Sequence, residues 1–160
     1  MKRIQPWLFI SVVVIALDQT TKLWMQSVLA YGEHMTVTSF FDLLLVHNSG
    51  AAFSFLADAG GWQRILFSAF ALIASIVIIQ LLRKTPEKTL FCFALSLIMG
   101  GALGNLWDRL TMGFVVDFLY FHYAGYGFPA FNVADSAITG GVMLLLWDGF
   151  NEKRETNNER

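Results

Sequence analysis

Residues 62–82 read WQRILFSAFALIASIVIIQLL, with Arg64 near the start and no other charge. The hydrocarbon core of a bilayer is about 30 Å thick, and a helix needs roughly 17 to 25 mostly apolar residues to cross it. This run meets that requirement. Three more stretches do so on either side: residues 7–29, broken only by Asp18 and Lys22; residues 90–106; and residues 134–150, with Asp135 and Asp148 near the ends. The last two are short, so thinning of the bilayer or polar side chains reaching for its surface is expected there. Composition agrees: of 160 residues, 56% are hydrophobic and 14% charged, whereas soluble domains carry about a quarter charged residues. Lipid solvates much of this surface. The fold class is therefore an all-α membrane protein with four transmembrane helices.

The flanking charges are lopsided. Lys2 and Arg3 precede the first span, Arg83, Lys84 and Lys88 fill the link between the second and third, and Lys153, Arg154 and Arg160 follow the fourth. The connections 30–61 and 107–133 together hold one basic residue, Arg109. By the positive-inside rule both termini are cytoplasmic and those two connections lie outside. The expected organisation is one polytopic domain over residues 1–152 and a polar, frayed cytoplasmic tail, 153–160. A cleavable signal peptide is the rival reading of the N-terminus. It would put about a dozen residues, including Asp18 and Lys22, between the apolar region and the cut at Ala30, too many for such a signal.

The outer connections carry strand signals. Residues 36–46 are rich in β-branched and aromatic side chains, and residues 114–123 alternate weakly. Gly60-Gly61 and Gly125-Tyr126-Gly127 mark turns. Net charge is −1, without the basic face a nucleic-acid partner requires. Cys92 stands alone, which excludes an intrachain disulfide and a cysteine-rich metal site.

Ionisable residues are costly inside a membrane and mark functional sites by default. Asp18 and Lys22 lie four apart and share a helix face, where they neutralise one another; such a pair serves packing, a site, or both. Gly100 and Gly104 form a small-residue face that admits a neighbouring helix. Asn105, Asp108 and Arg109 follow as a polar stripe at the outer end of the third span. Asp117 sits in the otherwise apolar GFVVDF (113–118). Asp135 opens the fourth span, where a carboxylate also suits a helix N-terminus. Both acids fall at the outer interface, so they can meet in space.

Metalloprotease chemistry would need a pattern such as H-E-x-x-H, but His34, His47 and His122 are scattered. No metal and no cofactor is expected. The nucleophile elbow G-x-S-x-G is absent. A serine–lysine pair built on Lys22 is conceivable, but no serine stands out as its partner and Asp18 is the more natural one; the other candidate is a pair of carboxylates. Amide hydrolysis can run on a carboxyl pair sharing one proton, since two adjacent like charges do not both ionise. The ionised member then activates water, and the protonated member polarises the carbonyl.

Five polar blocks occur in order: DQTTK (18–22), NSGAAF (48–53), GGALGNLWDR (100–109), GFVVDF (113–118) and FPAFNVAD (128–135). Together they resemble the lipoprotein signal peptidase family, bacterial signal peptidase II. The resemblance implies an aspartic endopeptidase of the bacterial cytoplasmic membrane that acts near the outer, periplasmic face. It implies removal of signal peptides from diacylglyceryl-modified prolipoproteins, with the cut before the lipidated cysteine. By the same resemblance Asp117 and Asp135 form the catalytic dyad, and Asp18, Lys22, Asn48, Asn105, Arg109 and Asn132 line or support the site. It also implies a small extracytoplasmic β-cradle, a surface helix, contact with membrane lipids, and inhibition by globomycin. A transporter would need polar groups along a full path across the membrane, often with a repeat; the cytoplasmic halves of the last three spans are almost wholly apolar. An assembly protein would tolerate asparagine at positions 117 and 135.

Overall fold

The computed structural model describes residues 4–50 and 61–158, with side chains up to Asn151. Lys2, Arg3, Gly60, the block at 51–53 and the side chains of Lys153, Arg154 and Arg160 fall outside the described residues. In chain order the elements are α1 (Gln5–Val28), β1 (His34–Thr38), β2 (Phe41–Asn48), α2 (Trp62–Lys84), α3 (Thr89–Thr111), β3 (Val115–Tyr123), β4 (Tyr126–Gly127) and α4 (Val133–Asn158). All four helices are long and apolar enough to cross a membrane. Pro6 lies in the first turn of α1, where its fixed φ and missing N–H cost nothing. Gly61 enters α2 with a φ of 97°, a left-handed conformation that glycine adopts without strain.

Helix α3 is the hub: 56% of its most apolar window is buried, against 28%, 22% and 11% for the other helices. Its small residues explain the close approach. A Cβ on Gly100 would lie 2.6 Å from Val14 Cβ, and one on Gly104 would lie 2.6 Å from Asp18 Oδ2. The bundle is apolar outward, with Phe9, Leu23, Ile65, Phe70, Ile73, Met143 and Trp147 exposed, while Ser11, Asp18, Lys22, Ser75, Ser96, Asn105 and Asp108 are buried. That is the arrangement lipid favours.

The third span is longer than the 90–106 expected. Helix α3 runs to Thr111 over 23 residues, because Asn105 and Asp108 are buried with partners from other elements and so extend the helix instead of ending it. Helix α4 likewise continues to Asn158, through residues expected to fray, although its membrane-length portion is Val133–Asn151.

The strand-like stretch 36–46 is a hairpin, β1 and β2, with a turn at Ser39-Phe40. The antiparallel order is β1-β2-β3-β4, which gives the expected cradle. A separate surface helix is not among the elements of the described residues. Met25 of α1 and Leu29, which caps that helix, pack with Leu45, Val116 and Phe118 and seat the sheet on the bundle. The sheet therefore sits at the end of the bundle where α1 and α3 finish and α2 and α4 begin.

Candidate active site

Strand periodicity aims Asp117. Side chains alternate across a strand, and Val116 and Phe118 enter the core under the sheet. Val115 and Asp117 therefore face the other way, into a cavity of about 660 Å³ whose walls also include Asn48, Asn105, Arg109 and Asp135.

Asp135 is fixed by helix capping. Asn132 Oδ1 accepts the Asp135 N–H at 2.9 Å, and Asp135 Oδ2 accepts the Asn132 N–H at 3.3 Å, a reciprocal box at the start of α4. The capping role considered from sequence is thus real, and it leaves Asp135 Oδ1 to accept from Asn105 Nδ2 at 2.8 Å. Asn132 Nδ2 meanwhile donates to Asp117 Oδ1 at 2.7 Å. Asn48 Nδ2 donates to Asp117 Oδ2 at 3.0 Å. Asn105 Oδ1 accepts from Lys22 Nζ at 2.9 Å and from Asn132 Nδ2 at 3.2 Å, which orients its amide toward Asp135.

Asp117 is 2% exposed. Burial, and next the charge of Asp135, push its carboxyl up to about 7, against the pull of Asn48, Asn132 and Lys22. Close to neutrality, then, the carboxyl is poised between its two protonation states. This is what a water-activating pair needs.

Arg109 lies on the cavity wall. Its Nη2 donates to Gly50 O at 3.1 Å, its guanidinium stands 5.3 Å from the Phe67 ring centre, and its charge is attracted by Asp135, Asp117 and Asp108. Asp18 and Lys22 pair at 2.7 Å, both buried. Of the eight residues expected at the site, Asp117, Asp135, Asn48, Asn105 and Arg109 line the cavity, Asn132 hydrogen-bonds to both aspartates, and Asp18 and Lys22 lie behind them, Lys22 bonded to Asn105.

Two residues were missed. Asp108, 0% exposed, is a second partner of Lys22 at 2.8 Å. Gln19 Nε2 donates to Asp108 Oδ1 at 2.8 Å and to Asp18 Oδ2 at 3.1 Å. The available signal was position: Asp108 lies on the turn after Asn105, and Gln19 lies between Asp18 and Lys22. The histidines also are less scattered than they read. His34 and His122 both approach Asp42, at 3.5 and 3.2 Å, across the sheet, while His47 stacks on Phe114. Among the described residues no cluster of three metal-binding side chains is formed.

Fold and site together define a multi-pass membrane protein with two asparagine-held carboxylates, one buried and one half-buried, in one cavity at the end of its helices. Residues 10–151 match the family described as Signal peptidase (SPase) II. Lipoprotein signal peptidases are similar throughout. That of Paraburkholderia phytofirmans is 54% identical over 93% of this chain and 87% of its own. Those of Ralstonia nicotianae, at 53% over 93% and 86%, and Janthinobacterium sp., at 52% over 89% and 87%, are comparable. Two solved bacterial membrane enzymes share the fold. One has a TM-score of 0.83 at 32% identity, covering 98% of this chain and 92% of its own; the other has 0.78 at 30%, covering 90% and 92%. The chain belongs to the signal peptidase II family and is a membrane peptidase.

Proposed function

We propose that this protein is an aspartic endopeptidase that removes signal peptides from diacylglyceryl-modified prolipoproteins, cutting on the N-terminal side of the lipidated cysteine. The observation that carries this reading is the placement of Asp117 and Asp135 in one cavity, joined through Asn132. The names of the relatives point to the same substrate class.

In this mechanism one aspartate is ionised and takes a proton from water as that water attacks the scissile carbonyl. The other, protonated, donates a hydrogen bond to the carbonyl oxygen and later returns a proton to the leaving nitrogen. The two titrate as a coupled system. Asn48, Asn105 and Asn132 hold the carboxylates without adding charge, and Arg109 faces the negative charge that develops on the carbonyl oxygen. From the acids the cavity continues along α4 past Ile138, Thr139 and Met143, an apolar wall suited to a signal segment or an acyl chain still in the bilayer.

Orientation follows from charge. Arg83 and Lys84 close α2 and Lys88 caps α3 at the end of the bundle opposite the sheet, so the positive-inside rule puts the termini in the cytoplasm and the acids near the periplasmic face of the cytoplasmic membrane. Residues 1–152 act as one peptidase domain and 153–160 as a cytoplasmic tail. Lipids surround the helices, globomycin-type inhibitors occupy the cavity, and neither metal nor cofactor takes part.

The test is incubation of the purified protein with a diacylated preprolipoprotein. The expected result is a single cut before the lipidated cysteine, blocked by globomycin. Cleavage elsewhere, or equal cleavage of the unlipidated precursor, would contradict the assignment.

A further inference from the structure

The residues that immediately precede the two site aspartates are held in the same way by two other carboxylates. The Val116 N–H, next to Asp117, donates to Asp108 Oδ2 at 3.2 Å. The Ala134 N–H, next to Asp135, donates to Asp18 Oδ1 at 2.9 Å. The Lys22 ammonium stands between these carboxylates, 2.8 Å from Asp108 Oδ2 and 2.7 Å from Asp18 Oδ2. Its third contact is Asn105 Oδ1, which accepts a hydrogen bond from it at 2.9 Å. Gln19 ties the same two carboxylates together on another side.

We propose that Asp108, Lys22 and Asp18 form a clamp that sets the spacing between Asp117 and Asp135, with Asp108 the positioning residue for the strand that carries Asp117. This rests on the two-aspartate reading above. Asp117 and Asp135 belong to a strand and to a helix start, which the main-chain bridge of Leu119 and Phe131 and the Asn132 side chain, donating to the Val116 carbonyl and to Asp117, join directly. Asp108 and Asp18 add a second tie, holding the backbone beside each aspartate to α3 and α1, the helices that carry neither of them. Helix packing alone does not call for the second acid: Gly100 and Gly104 already bring α3 against α1, and one carboxylate would neutralise Lys22. Burying another at 0% exposure is costly. Its contacts show its use, since one oxygen takes Lys22 and the backbone of β3 while the other takes Gln19. An error of about 1 Å in the placement of reacting groups costs on the order of 100-fold in rate. A clamp centred on one ammonium removes that freedom from both aspartates at once.

The test compares wild type with Asp108→Leu, Asp108→Asn and Asp18→Leu, reading kcat and KM on a diacylated preprolipoprotein and amide exchange at Val116 and Ala134. Asp108→Leu is expected to lower kcat by about 100-fold with KM changed less than about twofold. Exchange should quicken at Val116 first, whereas Asp18→Leu should quicken it at Ala134 first. Asp108→Asn, which keeps an acceptor for Val116, should regain part of kcat, and it carries the test if the leucine variant does not fold. Wild-type kcat in a folded Asp108 variant, or a rise in KM alone, would overturn the clamp. If wild type itself fails to cleave, the two-aspartate reading falls, and the site-specific exchange pattern still decides whether the clamp exists.

Discussion

Asn132 touches both site aspartates, donating from its side chain to Asp117 at 2.7 Å and from its main chain to Asp135 at 3.3 Å. One residue thus caps α4 and fixes the carboxylate of a strand. A hydrogen bond to a charged group contributes about 1.5–3 kcal/mol, and loss of a cap costs about 1 kcal/mol. Asn132→Ala should therefore lower kcat by roughly ten- to 100-fold and also lower Tm. Asn132→Asp keeps a capping oxygen but places a third acid beside two, so it should lose as much activity while keeping more of its Tm. Cleavage rates and thermal melts of the two variants check this; equal losses of Tm would separate the cap from the site.

The raised Asp117 carboxyl has a consequence for stability. Its reference value is 3.8, and in the fold it is about 7. Between those values the folded state holds a proton that the unfolded chain has released. This group's contribution to stability is therefore full below about pH 4 and is lost as pH rises through 7. Asp117→Asn removes that loss. The variant should melt higher than wild type at pH 8, by an amount on the order of a few kcal/mol in free energy, and the difference should shrink toward pH 4. A constant difference at pH 4, 6 and 8 would contradict the assignment.

Lys22 neutralises two buried carboxylates, so its removal should be worse than removal of the whole group. Lys22→Met strands Asp18 and Asp108, at a cost of about 3–5 kcal/mol. Replacing Lys22 and Asp18 together still leaves Asp108 without the ammonium that pairs with it. Only the triple change Lys22→Met, Asp18→Asn, Asp108→Asn should recover stability, without recovering activity. Melting temperatures of the single, double and triple variants rank these; a double variant as stable as the triple would remove Asp108 from the network.

Gly104 is required by its neighbour. A methyl group there would meet Asp18 Oδ2 at 2.6 Å, whereas one at Gly149 meets nothing within 4 Å. Gly104→Ala should destabilise by about 1–3 kcal/mol and reduce cleavage, and Gly149→Ala should do neither. Parallel melts and cleavage assays check the contrast.

What the sequence makes legible is local. Asp18 and Lys22 pair because four residues bring side chains onto one helical face, and that spacing is visible without a structure. The four spans are legible because lipid demands long apolar runs. The end of α3 was not, since Asn105 and Asp108 read as polar residues leaving the membrane, whereas their partners on α1, β3 and α4 bury them. Those partners are up to 89 residues distant along the chain, as for Gln19 and Asp108. The same limit hid Asp108: its neighbours at i and i+4 were in view, but not the ammonium or the strand N–H that give it a role. The hairpin of β1 and β2 was read as a single extended stretch because Ser39-Phe40 carries no glycine or proline to announce the turn.

Cleavage of a diacylated preprolipoprotein by Asp117→Asn and Asp135→Asn, each purified as a folded membrane protein, tests the central claim most directly. Loss of detectable product in both variants, with substrate still bound, is the predicted result. Substantial product from either one would remove that carboxylate from the chemistry and with it the paired-acid mechanism.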